Sequence, residues 1–230
     1  AGRQGAADAA ARAGGWEGCG AAWGAMPAPG ANDTATGVAT VLELARLVAD
    51  MPLRRSVRFG LCSGEELGRI GSRHYAHAMG QAKEDIAAVI NIDMIGHDAD
   101  GLYDLHVVAD GHSRWVLDAF ERLRRLVDSD IALQTRVEPG FTFSDHAPFW
   151  WEGYSAVFVS EESDPRPAER HRTYHTYEDT PEHVNFDYGT EAARLLASIV
   201  VLLAEPVAPS GPSILPGADD AQGLAASAYP

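Results

Sequence analysis

The sequence predicts an α/β fold, a mainly parallel sheet with helices on both faces. Three observations predict it. Apolar runs of strand length alternate with stretches of helical periodicity between residues 36 and 204. One run, "IAAVINIDMI" (86–95), is almost continuously apolar, as a strand buried on both faces would be. No internal repeat is visible, and no apolar run reaches the ~18 residues of a membrane span.

The elements follow in order. Residues 36–50 place Val38, Val41, Leu42, Leu44, Ala45 and Val48 on one broad apolar helical face. "SVRFGLC" (56–62) is a short β-rich run, and Cys62 inside it reads as a buried free thiol. Residues 66–80 carry helical spacing, 86–95 and "DLHVVAD" (104–110) are strands, and 113–128 is an amphipathic helix. "SAVFVS" (155–160) is a further strand, and 187–204 a closing helix. The start of that last region is marked by "DTPE". Residues 1–27 are Ala/Gly-rich and read as a biased-composition or disordered arm. Residues 205–230, rich in Pro, Gly and Ala, read as a disordered tail, which leaves 28–204 as one domain.

Composition narrows the function. The chain has 230 residues, 46% of them hydrophobic, enough for a sizeable core. A net charge of −15 argues against a nucleic-acid partner and against an anionic membrane surface, since both need a basic face. The two cysteines, Cys19 and Cys62, admit at most one disulfide and form no CxxC metal pair. The N-terminus lacks the apolar stretch of a signal peptide. Oligomeric state is not legible.

In open α/β sheets, ligands collect at the carboxyl ends of the strands. Four acidic positions fall there. Asp33 sits in "APGANDTATG", a loop of small residues opening into the first helix. Capping alone would explain it, because Asn, Asp and Thr are all favoured before a first turn. Glu65 and Glu66 follow "SVRFGLCSG". Two adjacent acids repel unless a cation or proton intervenes, although a solvated helix start also accepts them. Asp93 interrupts the apolar "INIDMIG", and a buried carboxylate must be paired or bound to metal. His175, in the polar loop "RTYHTYEDTPEHV" (172–184), would complete an oxygen–nitrogen set suited to zinc.

"APGANDTATG", "GEELGRIGS", "NIDMIG" and "YHTYEDT" stand in the order and approximate spacing of the co-catalytic zinc aminopeptidases, which the chain resembles over about residues 27–204. This is the bacterial leucine-aminopeptidase type, related to glutamate carboxypeptidase and the transferrin receptor. "SDHAPFWWEGYSAVFVSEE" (144–162) is similar to another segment of that family. The resemblance implies a three-layer α/β/α sandwich with a twisted mixed sheet, and hydrolysis of N-terminal residues from peptide substrates. It implies that Asp33 bridges two zinc ions, that Glu66 and His175 complete one zinc site, and that Asp93 serves the other. It implies that Glu65 is the general base and that Tyr174 stabilises the tetrahedral intermediate. His146 would line the site's wall, and the protein would be secreted or periplasmic.

One motif departs from the family. An upstream "HxD" strand normally supplies a further zinc ligand about 20 residues before the bridging acid, by resemblance. Here the first histidine is His74, and residues 1–27 hold neither histidine nor strand pattern. Glu17 and Cys19 stand at the wrong spacing to replace it. A piece of a longer protein, a segment in a shifted frame and a non-catalytic relative each fit. One well-formed zinc site is therefore expected, with exposure of the sheet edge that the missing strands would cover. The alternative function is a binding or scaffold domain on the same fold. His74 and His77 fall on a helix, and His97, His106, His112, His171 and His183 in polar settings without ligand-like spacing.

Overall fold

A computed structural model describes residues 29–98, 101–161 and 173–207. The readings of 1–27 as an arm and of 208–230 as a tail lie outside the described residues. Helix α1 (Gly37–Val48) follows a π-helical turn, Ala31–Thr36. Then come α2 (Ile70–Ala82), β1 (Val89–Ile92), β2 (Asp104–Ala109), α3 (Arg114–Arg124) and β3 (Ala132–Val137). The short α4 (Ala147–Trp151), β4 (Ala156–Ser160), a 3₁₀ turn at Pro181–His183 and α5 (Phe186–Ala204) complete the order.

The four strands run β1-β4-β2-β3. β1 pairs with β4 and β2 with β3 in parallel, while β2 and β4 are antiparallel. The mixed, mainly parallel sheet thus agrees with the expected fold class. Strand β4 is buried along its whole length, because it lies between neighbours and beneath helices on both faces. Alternation divides its side chains. Val157 and Val159 join Leu105, Val107 and Ala109 of β2 in the larger core, under α3 and α5. Ala156 packs with Ala76 of α2 and Phe149 of α4, and Phe158 with Val108 and Phe141, on the opposite face. Helix α5 buries Leu195, Leu196 and Ile199 in the larger core. Each large aliphatic side chain buried in this way contributes roughly 1.5–3 kcal/mol.

Several expectations need correction. Residues 56–62 form no strand: the segment pairs with no described neighbour. Its β-rich composition reflects a chain suited to a sheet, and composition cannot supply the partner. Phe59 is accordingly 38% exposed, Leu61 56% exposed, and Cys62 an exposed free thiol rather than a buried one. β1 is shorter than 86–95 and only half-buried, because it is the edge strand. Leu42 faces solvent rather than the core of α1, which buries Gly37, Thr40, Leu44 and Val48. Helix α2 starts at Ile70, after the turn that holds Glu66. "DTPE" opens only the 3₁₀ turn, and α5 starts later, where Asn185 Oδ1 accepts the Tyr188 N–H at 3.0 Å. β3 and α4 had no sequence-based expectation.

Among the described residues no helix is long and apolar enough to cross a membrane.

Candidate metal centre

The site lies at the carboxyl edge of β1 and β4. Asp93 immediately follows β1, and its N–H donates to Val159 O of β4 at 2.9 Å. The turn carrying Asp33 is set against that strand end by Gly37. A Cβ on Gly37 would stand 2.5 Å from Asp93 O and 2.7 Å from Ile92 O, so only glycine permits the approach. Gly30, at φ 68°, turns the chain into the loop.

Asp33 does not cap α1. The helix has Thr36 at its N-cap and no side-chain capping hydrogen bond. Asp33 Oδ2 lies instead 3.1 Å from His175 Nε2, and Glu66 Oε1 lies 2.7 Å from the same nitrogen. Asp33, Glu66 and His175 each present one ligand atom, all within 4.8 Å of one another. Two carboxylates and an imidazole converging on one point form the mixed O/N donor set that zinc takes, with room for a fourth ligand. The donors therefore fit a metal ion. The two carboxylates act directly on the His175 imidazole. Burial opposes its protonation, but the facing carboxylates of Asp33 and Glu66 outweigh burial and raise its pKa to about 10. His175 also adopts φ 58°, and the Tyr174 ring stacks on its imidazole with centroids 3.7 Å apart.

Glu65 and Glu66 share a turn ahead of α2, so adjacency does not send them to opposite faces. Gly68 and Arg69 both donate backbone N–H groups to Glu65 O. Burial, then the charges of Glu66, Asp93 and Asp145, lift the Glu65 carboxyl to about 8, with Arg69 acting the other way. Burial and the Asp33 charge lift Asp93 to about 7, opposed by a hydrogen bond from Ser144 Oγ to Asp93 Oδ2 of 2.7 Å. Ser144 Oγ accepts in turn from Asn91 Nδ2 at 2.7 Å. Carboxyl groups poised near neutrality suit proton transfer.

All four expected ligands and Glu65 thus belong to one neighbourhood, although Asp93 stands outside the trio that converges on His175 Nε2. His146 does not line the site. It is fully buried against Phe141, Trp150 and Phe158, with Nε2 2.8 Å from Phe141 O.

Sequence reasoning missed two further acids. Glu161, directly after β4, is 7% exposed, and its carboxylate accepts from Asn32 Nδ2 at 2.6 Å, Gly96 N at 2.7 Å and His97 N at 2.6 Å. Asp179, 3% exposed, accepts from Asn32 N at 2.9 Å and Asp33 N at 3.0 Å. Glu161 ends a buried strand just as Asp93 does, which is the signal that could have found it. Asp179 lies in a polar loop and offers none.

Residues 17–200 match the model of peptidase family M28. The chain is 32% identical over 175 residues to aminopeptidase YwaD of Bacillus subtilis, covering 75% of this chain and 37% of that protein. It superposes on BSAP, a zinc aminopeptidase from Bacillus subtilis, with a TM-score of 0.67 at 26% identity, over 83% of this chain and 46% of that one. It superposes on LapA of Legionella pneumophila with a TM-score of 0.68 at 25% identity, over 77% of this chain and 49% of that one. The chain thus spans half or less of the length of these relatives. The family match covers most of this chain, and it falls on the segments that bring Asp33, Glu66, Asp93 and His175 to one sheet edge, so the chain belongs to peptidase family M28.

Proposed function

We propose that this chain carries the base and one zinc site of an aminopeptidase that removes N-terminal residues from peptides. The observation that carries the reading is the convergence of Asp33, Glu66 and His175 within 4.8 Å, beside Glu65. The names of the relatives, zinc aminopeptidases among them, support the same chemistry.

Asp33, Glu66 and His175 would hold one zinc ion, and Asp33 with Asp93 would face a second. When bound, zinc lowers the pKa of water and polarises a carbonyl. The work of the chain's own groups follows from their placement. Glu65 takes the proton of the attacking water and returns it to the leaving amine. Burial and the neighbouring charges of Glu66 and Asp93 raise its affinity for a proton, which suits a group that takes one up and passes it on. The Ser144 hydroxyl and Asn91 amide hold the Asp93 carboxylate in one orientation. Tyr174, whose ring stacks on His175, would donate to the developing oxyanion.

The test is zinc content by elemental analysis together with turnover of leucine p-nitroanilide by the 230-residue chain. Bound zinc with slow turnover, abolished by Glu65→Gln, is expected. A chain that takes up no zinc at neutral pH overturns the proposal.

A further inference from the structure

We infer that Asp179, with Glu161 as its counterpart, is a positioning residue that fixes the spacing of the zinc ligands Asp33, Asp93 and His175 by bracing the three loops that carry them. The inference rests on the zinc reading above. Three consecutive backbone N–H groups, those of Ala31, Asn32 and Asp33, are directed at Asp179. Ala31 N donates to its backbone carbonyl at 3.1 Å, and Asn32 N and Asp33 N to its Oδ1 and Oδ2. Asp179 is in the same turn as His175. Its own N–H donates to Thr176 O at 3.2 Å, and Thr176 N and Oγ1 both donate to Thr173 O. One carboxylate therefore joins the backbone of ligand Asp33 to the turn of ligand His175.

Glu161 makes the second brace. Its backbone N–H donates to Met94 O at 2.8 Å, and its carboxylate takes the Gly96 and His97 N–H groups after Asp93. The same carboxylate accepts from the Asn32 side chain in the Asp33 loop. Thr36 closes the frame, donating to Asn32 O at 2.9 Å and accepting from Ile95 N at 3.2 Å. The Asp33 loop is thus tied to the His175 turn through Asp179, and to the Asp93 loop through Glu161 and Thr36. A merely space-filling role would not require both Asp179 oxygens to end on the two backbone groups that flank and carry a ligand.

The two acids differ in what a neutral isostere would do. Asp179 faces backbone N–H groups, which cannot turn over, so Asp179→Asn must set an NH₂ against one of them. Glu161→Gln can turn its oxygen toward Gly96 and His97 while the Asn32 amide flips to match. The experiment measures the zinc dissociation constant of the full 230-residue chain by chelator competition, and thermal stability without zinc. The visible spectrum of the cobalt-substituted protein is recorded beside them. Asp179→Asn should weaken zinc by about 10–100-fold, as loss of support behind metal ligands does, and should shift the cobalt bands. Glu161→Gln should weaken zinc by less. Ser113→Ala is the control. It removes a buried hydrogen bond from Ala156 N to Ser113 Oγ of 2.9 Å at the opposite end of β4, and should lower stability with zinc affinity unchanged. An Asp179→Asn protein that loses stability as Ser113→Ala does, yet keeps its zinc affinity and cobalt spectrum, overturns the inference. If Asp179→Asn does not fold, Asn32→Ala, which cuts the side-chain tie between the Asp33 loop and Glu161, takes its place, and unchanged zinc affinity in that variant overturns the inference. A wild-type chain without zinc affinity overturns the metal reading itself, an outcome distinct from both.

Discussion

His175 Nε2 stands 2.7 Å from Glu66 Oε1, joining a loop ahead of α5 to a turn ahead of α2. The contact exists because both turns open at the same edge of the sheet, with the Asp33 loop between them. Asp33 completes the trio from a third loop, 3.1 Å from the same nitrogen.

The division of labour between the adjacent acids is testable. Glu66 belongs to the converging trio and Glu65 does not. Glu65→Gln should retain zinc and lose about 10²–10⁴-fold in kcat, the range for a general base. Glu66→Gln should lose zinc affinity first. If Glu65→Gln releases zinc together with activity, the two roles are exchanged.

Metal stoichiometry should be unequal. Asp33, Glu66 and His175 supply a three-ligand site, whereas among the described residues Asp33 and Asp93 would give a second ion two oxygens and no imidazole. Such a hard, sparse site favours water-rich cations over zinc. Zinc titration should show one tight equivalent and a second weak one. Two tight equivalents would mean that another residue completes the second site.

Gly37→Ala should destabilise the chain by about 1–3 kcal/mol, the usual cost of overpacking. The added methyl meets the carbonyls of Ile92 and Asp93, which cannot move without shifting the end of β1. Gly60→Ala, with open space around its Cβ, should change stability far less. Urea unfolding of both variants against the parent checks the contrast.

His146 should make the fold sensitive to acid. Burial pushes its pKa down to about 4, opposed by the hydrogen bond to Phe141 O and favoured by the nearby Arg69 charge. In the unfolded chain the imidazole returns to ~6.5. Between these values the unfolded state binds the additional proton, so stability falls as pH drops from about 6.5 to 4 and is then flat in this group. The loss is on the order of 3 kcal/mol. Glu161, pushed up chiefly by burial against the His97, Asn32 and Gly96 donors that favour its ionised form, contributes the opposite slope, losing stability as pH rises above its unfolded value. The diagnostic quantity is therefore the difference between parent and His146→Gln in urea unfolding at pH 7.5 and pH 5. An equal acid loss in both proteins would remove His146 as the cause.

Residues 56–62 should promote self-association. Their backbone joins no strand among the described residues, and Phe59 and Leu61 are exposed. An exposed β-prone apolar segment without a partner can pair with another chain. Phe59→Lys with Leu61→Lys should reduce concentration-dependent association in light scattering, with stability within about 0.5 kcal/mol of the parent. Unchanged association would place the sticky surface elsewhere.

The sequence by itself determined the α/β class and most helices and strands, and it singled out Asp33, Glu65, Glu66, Asp93 and His175 as candidates. Those features are written locally: apolar periodicity marks α1, α3 and α5, and a charge inside an apolar run marks Asp93. Only the tertiary structure decided that Asp33 faces His175 rather than capping α1, because both roles suit an acid before a helix. It alone decided that 56–62 pairs with no strand among the described residues, since a strand needs a partner and composition cannot name one. It alone revealed the Asp179 and Glu161 braces. Their hydrogen bonds span 146 and 129 positions of the chain, and no local pattern encodes a contact whose partners meet only when the sheet edge assembles.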